Sequence, residues 1–143
     1  MSHFTQENKQ RIVDAIREAE LNTSGEIRVH IENKCSGEVL DRAVDVFHEL
    51  KMEQTRQRNG VLLYVAIKSH KVAIIGDEGV NAVVPDDFWN GIIDRAVKQF
   101  AQGQYAEGIA EAVTAVGEVL KQHFPYRNDD INELPDEISF GDD

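Results

Sequence analysis

Four carboxylates fall within eleven residues, at Asp77, Glu78, Asp86 and Asp87, in the stretch GDEGVNAVVPDDF. Hard divalent cations are held by oxygen donors, and an acidic loop of this kind is a candidate site for them. Calcium takes about six to eight oxygens in irregular loops, whereas magnesium requires a stricter octahedron. Asn59 and Glu26 would complete such a shell if the fold brings the starts of two earlier segments beside this loop. A structural reading competes. Asp86 or Asp87 would cap a helix starting at Pro85, where an acidic first turn suits the helix dipole, and Asp77 and Glu78 would be solvated turn residues. A capping aspartate can also be a ligand, so the two readings are compatible.

Other chemistries find less support. The chain shows no Asp-x-Asp pair after a strand, no Cys-x5-Arg loop, no paired-metal His/Asp set and no Walker loop. His30 falls between Arg28 and Glu32 on the polar face of an alternating segment, where a surface residue is expected. His48, His70 and His123 are scattered without metal-ligand spacing. Cys35 is the single cysteine, so no intramolecular disulfide forms, and it reads as an incidental thiol. Asn128, Asp130 and Asn132 alternate like an EF-hand loop. Glu133 and Ser139 then stand where that loop needs glycine and glutamate, so the pattern fails.

The elements that must position these groups are legible from periodicity. Thr5 is an N-cap candidate, and Ile12, Val13, Ile16 and Ala19 mark an amphipathic helix over Thr5–Leu21. Glu26–Glu32 alternates as a half-exposed strand. A second helix is expected over Gly37–Met52. Val61–Ile67 and Val72–Ile75 are apolar runs too short for core helices, and they read as strands buried on both faces. Strand–helix–strand order implies parallel pairing of the first two strands, and the short junction Lys68–Lys71 implies an antiparallel hairpin. The loop after Gly76 then lies near Asn59–Gly60 and the Ser24–Glu26 turn. Helices over Pro85–Ala101 and Gln104–His123 follow, with Trp89, Phe100 and Tyr105 as core aromatics. The expectation is a three-layer α/β fold on a small mixed β-sheet with about four helices.

Bulk properties bound the function. The 143 residues suit one domain with a proper core, here expected as residues 1–125, followed by an acidic C-terminal tail, 126–143. That tail is expected to be disordered or loosely docked through Leu134, Ile138 and Phe140. Fifteen basic against 26 acidic side chains give −11, with no Lys/Arg cluster. Neither a nucleic acid nor an anionic membrane is an expected partner. The first twenty residues lack the apolar core of a signal peptide, and no run approaches membrane-spanning length, so a soluble, cytoplasmic protein is expected.

TSGEIRVHI, RNGVLLYVAIKSHKVAIIGDEGV, VVPDDFW and FAQGQYAEGIAEAVTAVGEVL, in this order over Met1–Phe124, resemble the TPM domain. Phe100–Ile109, as FxxGxYxxGI, is the most distinctive of these segments. The family takes its name from a thylakoid lumen phosphatase, a photosystem II repair protein and a receptor-associated protein. The resemblance implies a Rossmann-like α/β sandwich and bound divalent cations, calcium in particular, held by acidic loops at one end of the sheet. The expected function is therefore that of a cation-binding domain in an accessory or protein-interaction role, with a protein partner. The alternative is a metal-dependent acid phosphatase acting on phosphomonoesters, an activity attributed to the plant branch. Asn59 and Asn81 stand where members often carry carboxylates.

Overall fold

The computed structural model describes residues 4–85, 87–126 and 138–141. Helix α1, Gln6–Glu20, starts where the Thr5 hydroxyl accepts the Asn8 backbone N–H and the Asn8 side chain accepts that of Thr5, a reciprocal capping box. Strand β1, Glu26–Glu32, leads to α2, Val39–Glu49, then to β2, Gly60–Ala66, and β3, Lys71–Gly76. A one-turn helix α3, Glu78–Asn81, precedes α4, Asn90–Ala101, and α5, Tyr105–His123. The last element is β4, Ser139–Phe140.

The sheet has the order β3-β2-β1-β4. β1 pairs in parallel with β2, Glu26 opposite Gly60, and β2 pairs antiparallel with β3, Val61 opposite Gly76. Both relationships follow from connection length: α2 is long enough to return the chain in the same direction, and the turn ending at His70 is not. Ile27, Val29, Ile31, Val61, Leu63, Val65 and Ile74 enter the main core under α1, α4 and α5. Leu62, Tyr64, Ala66 and Ala73 face the other way, against Ala43, Val46 and Phe47 of α2. Three layers result, as the alternation of the strands requires.

Two expectations need correction. The helix expected from Pro85 begins at Asn90 behind Trp89, without a side-chain cap. Asp87 lies in the preceding turn and does not cap it, since only its backbone carbonyl accepts, from the Asn90 N–H. The other correction concerns β1, which is not half-exposed. Glu26, His30 and Glu32 are all buried; around His30 and Glu32, β4 covers the outer edge of β1 and α2 delivers Arg42 to its end. The C-terminal segment thus docks as a strand parallel to β1 through Ile138 and Phe140; Leu134 lies outside the described residues. No helix among the described residues is long and apolar enough to cross a membrane.

Candidate functional site

The acidic loop is built by β-pairing. Because β2 and β3 are antiparallel, the end of β3 meets the start of β2, and the Asp77 N–H donates to the Gly60 carbonyl at 2.9 Å. Because β1 and β2 are parallel, their starts coincide: the Glu26 N–H donates to the Asn59 carbonyl at 3.4 Å, and Asn59 Nδ2 to Ser24 Oγ at 3.4 Å. Asp77, Asn59 and Glu26 are all buried. Three segments far apart in sequence therefore converge at one end of the sheet. Gly79 permits the closest approach among them, its N–H donating to the Arg58 carbonyl at 2.8 Å. A Cβ there would collide with the carbonyl oxygens of Gln57 and Arg58.

Arg58 dominates the electrostatics of this end. Its Nε and Nη2 donate to the two oxygens of Asp77 at 2.7 Å and 2.9 Å, and its Nη1 to Glu78 at 3.2 Å. The Asp77 hydrogen bonds hold the guanidinium pKa above its ordinary value. Asp77 also accepts the Glu78 backbone N–H at 2.8 Å, which caps α3. Arg58 sits at φ 51°, a left-handed backbone that costs a non-glycine residue about 1 kcal/mol or more, so the clamp and the Gly79 bond hold a strained residue in place.

The donors suit a hard cation in kind: carboxylate, amide and hydroxyl oxygens with backbone carbonyls, and no sulfur. Their present arrangement is not a ready-made cage. Among the described residues no three Asp, Glu, His or Cys side chains are grouped to hold a metal. Both oxygens of Asp77 are engaged by Arg58, which occupies the place a cation would need. Glu78 is exposed at the rim. Asp87 is exposed in the turn before α4 and takes no part in the bonds that join the three segments. Asp86 lies outside the described residues.

A family model for the TPM domain matches residues 2–119. This chain belongs to the TPM-domain family. Among solved structures, BA42 from the psychrophilic bacterium Bizionia argentinensis is similar at 49% identity over 96% of this chain and 95% of that one, with a TM-score of 0.88. The N-terminal domain of a P. gingivalis protein is 22% identical over 87% and 83% of the chains, with a TM-score of 0.68. An N-terminal domain from Corynebacterium glutamicum is 13% identical over 82% and 74%, at 0.63. The last two share the fold alone. No curated protein matches the chain.

The TPM domain carries a second polar centre that sequence reasoning missed, at the opposite end of β1. Glu32 is buried and accepts the Tyr64 hydroxyl at 2.5 Å, His30 Nε2–H at 3.1 Å and the Arg42 guanidinium on both oxygens. Burial alone would raise the pKa of this carboxyl. The donors from Arg42, Tyr64 and His30 outweigh it and hold the pKa at about 2. Burial, with the bond to Glu32, pushes the Tyr64 phenol up, and the Glu32 bond raises the pKa of Arg42. His30 stacks on Tyr64 at 6.0 Å between centroids, and burial lowers its pKa. With Nε2–H donating to an ionised carboxylate, the neutral ring leaves Nδ1 as an acceptor for the Ser139 hydroxyl at 3.0 Å.

The order hydroxyl, imidazole, carboxylate is the order of a nucleophile relay, but here the ring and the carboxylate are buried and bonded within the cluster. The negative charge of Glu32 is already matched by Arg42. The cluster is a lock on the sheet edge. One sequence signal could have exposed it: Tyr64 lies in a strand buried along its whole length, and a buried phenol needs a partner.

Proposed function

We propose that this TPM domain binds a divalent cation, calcium or magnesium, at the end of the sheet where Asp77, Asn59 and Glu26 meet. Glu78 and Asp87, and Asp86 outside the described residues, are its further candidate carboxylates. The domain then acts as an accessory or protein-interaction module whose loops the ion orders. The observation that supports this reading is the convergence of three sequence-distant segments, each bearing oxygen-donor residues, at one sheet end. Hard-cation sites in irregular loops need side-chain and carbonyl oxygens contributed in this way.

Binding proceeds as an exchange of cations. Arg58 neutralises Asp77 in the absence of metal, and its partly exposed side chain can swing away when an ion takes the carboxylate. An enzyme built on the same site, the acid-phosphatase alternative, would further need an open coordination position and an activated water.

A calcium or magnesium titration to ~10 mM, in the weak-affinity range of such sites, followed by amide NMR and thermal melting, tests the reading. Shifts confined to Ser24–Glu26, Arg58–Gly60 and Gly76–Asp87 are expected. They should come with a raised melting temperature, as preferential binding to the native state requires. Asp77→Asn should abolish both effects. Unmoved amides at the top of the titration sink the proposal. Phosphomonoester hydrolysis that is chelator-sensitive and lost in Asp77→Asn would move the assignment to the enzyme.

A further inference from the structure

The outer edge of β1 is covered by the chain's own C-terminal segment, residues 138–141. β4 pairs with β1 through only two positions, Ser139 opposite His30 and Phe140 opposite Ile31, and the Gly141 N–H donates to the Ile31 carbonyl at 2.9 Å. Each side chain of the segment meets a different feature. Ile138 packs on the main core. The Ser139 hydroxyl meets His30 Nδ1 at 3.0 Å. Phe140, 38% exposed, has the Lys9 ammonium 5.4 Å from its ring centroid. Gly141 lies so close to Glu32 that a Cβ would stand 2.5 Å from both Cγ and Oε1 of that side chain.

The receiving side is held by contacts outside β4. Glu32 is fixed by Arg42 and Tyr64, and His30 by Glu32 and the stack on Tyr64, so Glu32 has little freedom to yield to a side chain at position 141. The entering side is short. Few main-chain hydrogen bonds hold it, each of modest net strength, and the tether itself supplies an effective concentration on the order of millimolar. A preformed edge held by a short tethered strand is the arrangement in which an identical segment can exchange with one presented in trans.

We propose that the outer edge of β1 is a strand-acceptor site. It takes an extended peptide of pattern apolar–Ser–aromatic–Gly, parallel to β1, and residues 138–141 are its tethered ligand. Main-chain bonds to β1 supply the affinity, as in other strand additions. The serine is selected by His30 and the glycine by Glu32. This site is at the opposite end of β1 from the proposed cation site and does not depend on it.

The test uses the full chain carrying Gly141→Val and a fluorescent peptide of sequence PDEISFGDD, the wild-type residues 135–143. In the variant, the amide at position 141 should lose its hydrogen-exchange protection while β2 and β3 amides keep theirs. The peptide should bind the variant at least about tenfold more tightly than the wild-type chain, whose own tail competes at millimolar effective concentration. A Ser139→Ala chain, which leaves the backbone free to pair, should show intermediate peptide binding. Retained protection at position 141, no peptide binding to the Gly141→Val chain, or equal binding of a peptide with serine changed to alanine would overturn the proposal.

Discussion

Arg58 closes on Asp77 with two parallel hydrogen bonds, 2.7 Å and 2.9 Å long, and so joins the segment leading into β2 to the residue after β3. Asp77 is buried and Arg58 is 40% exposed, so the guanidinium is the half of the pair that water and ions can reach. Arg58 is thus both a staple for the loop and a competitor for any ion that approaches Asp77.

Arg58→Gln separates these two roles. Without added metal the variant should be slightly less stable, as expected for a solvent-screened charged pair, and melt about 3 °C lower or less. With calcium present, its apparent affinity should exceed that of the wild type, because the competing cation is gone. Parallel thermal melts across a calcium series would reveal both changes, and weaker calcium binding in the variant would contradict the exchange.

Acid should destabilise the fold through Glu32. Its folded pKa of about 2 lies below its ordinary 4.5, so the folded state favours the ionised form. The stability this contributes is present above pH 4.5 and is lost as pH falls from there toward about 2, in all on the order of 3 kcal/mol. His30 adds to the loss from higher pH. Its folded pKa lies below the ordinary 6.5, so the unfolded chain takes up the proton first and stability begins to fall below that value. Urea unfolding between pH 7 and 3 should show this slope, and Glu32→Gln should flatten its lower part.

Tyr64→Phe removes the donor to Glu32 at 2.5 Å and leaves the ring in place. The cost should be about 1–2 kcal/mol, typical for a hydrogen bond to a charged group whose acceptor stays buried. Glu32 should then titrate higher, and the acid transition should shift upward in pH. Chemical denaturation and a carboxyl-detected NMR titration would measure the two effects.

Gly79→Ala and Gly91→Ala make a matched pair. At Gly79 the new methyl meets backbone carbonyls of Gln57 and Arg58, and a backbone obstacle cannot rotate away. A loss of roughly 2 kcal/mol or more is expected, with displaced amides at Arg58 and Asp77. At Gly91, in the first turn of α4, nothing lies within 4 Å. There the change should stabilise by about 0.5 kcal/mol through helix propensity and a less flexible unfolded chain.

The sequence by itself determined most of the scaffold. The apolar runs around Leu62–Tyr64 and Ala73–Ile74 were readable as buried strands because their periodicity is local. The four long helices were readable for the same reason. Connection length determines that β1 and β2 are parallel and that β3 returns, and this places Asp77 near Asn59 and Glu26. Helix boundaries were less legible: Pro85 permits a helix start, but the chain makes a turn first and begins at Asn90.

Only the tertiary structure decided which charges are paired and which polar face is covered. Arg58 and Asp77 are each ordinary surface residues in sequence, and their pairing exists because an antiparallel hairpin brings strand ends together. The alternation of Glu26, Arg28, His30 and Glu32 correctly reported one face of a strand. Alternation cannot report what lies over that face. Arg42 from α2, Tyr64 from β2 and Ser139 from β4 turned a sequence pattern typical of solvent exposure into a buried, hydrogen-bonded centre. Burial is a property of neighbours contributed by distant segments, and local periodicity does not encode it.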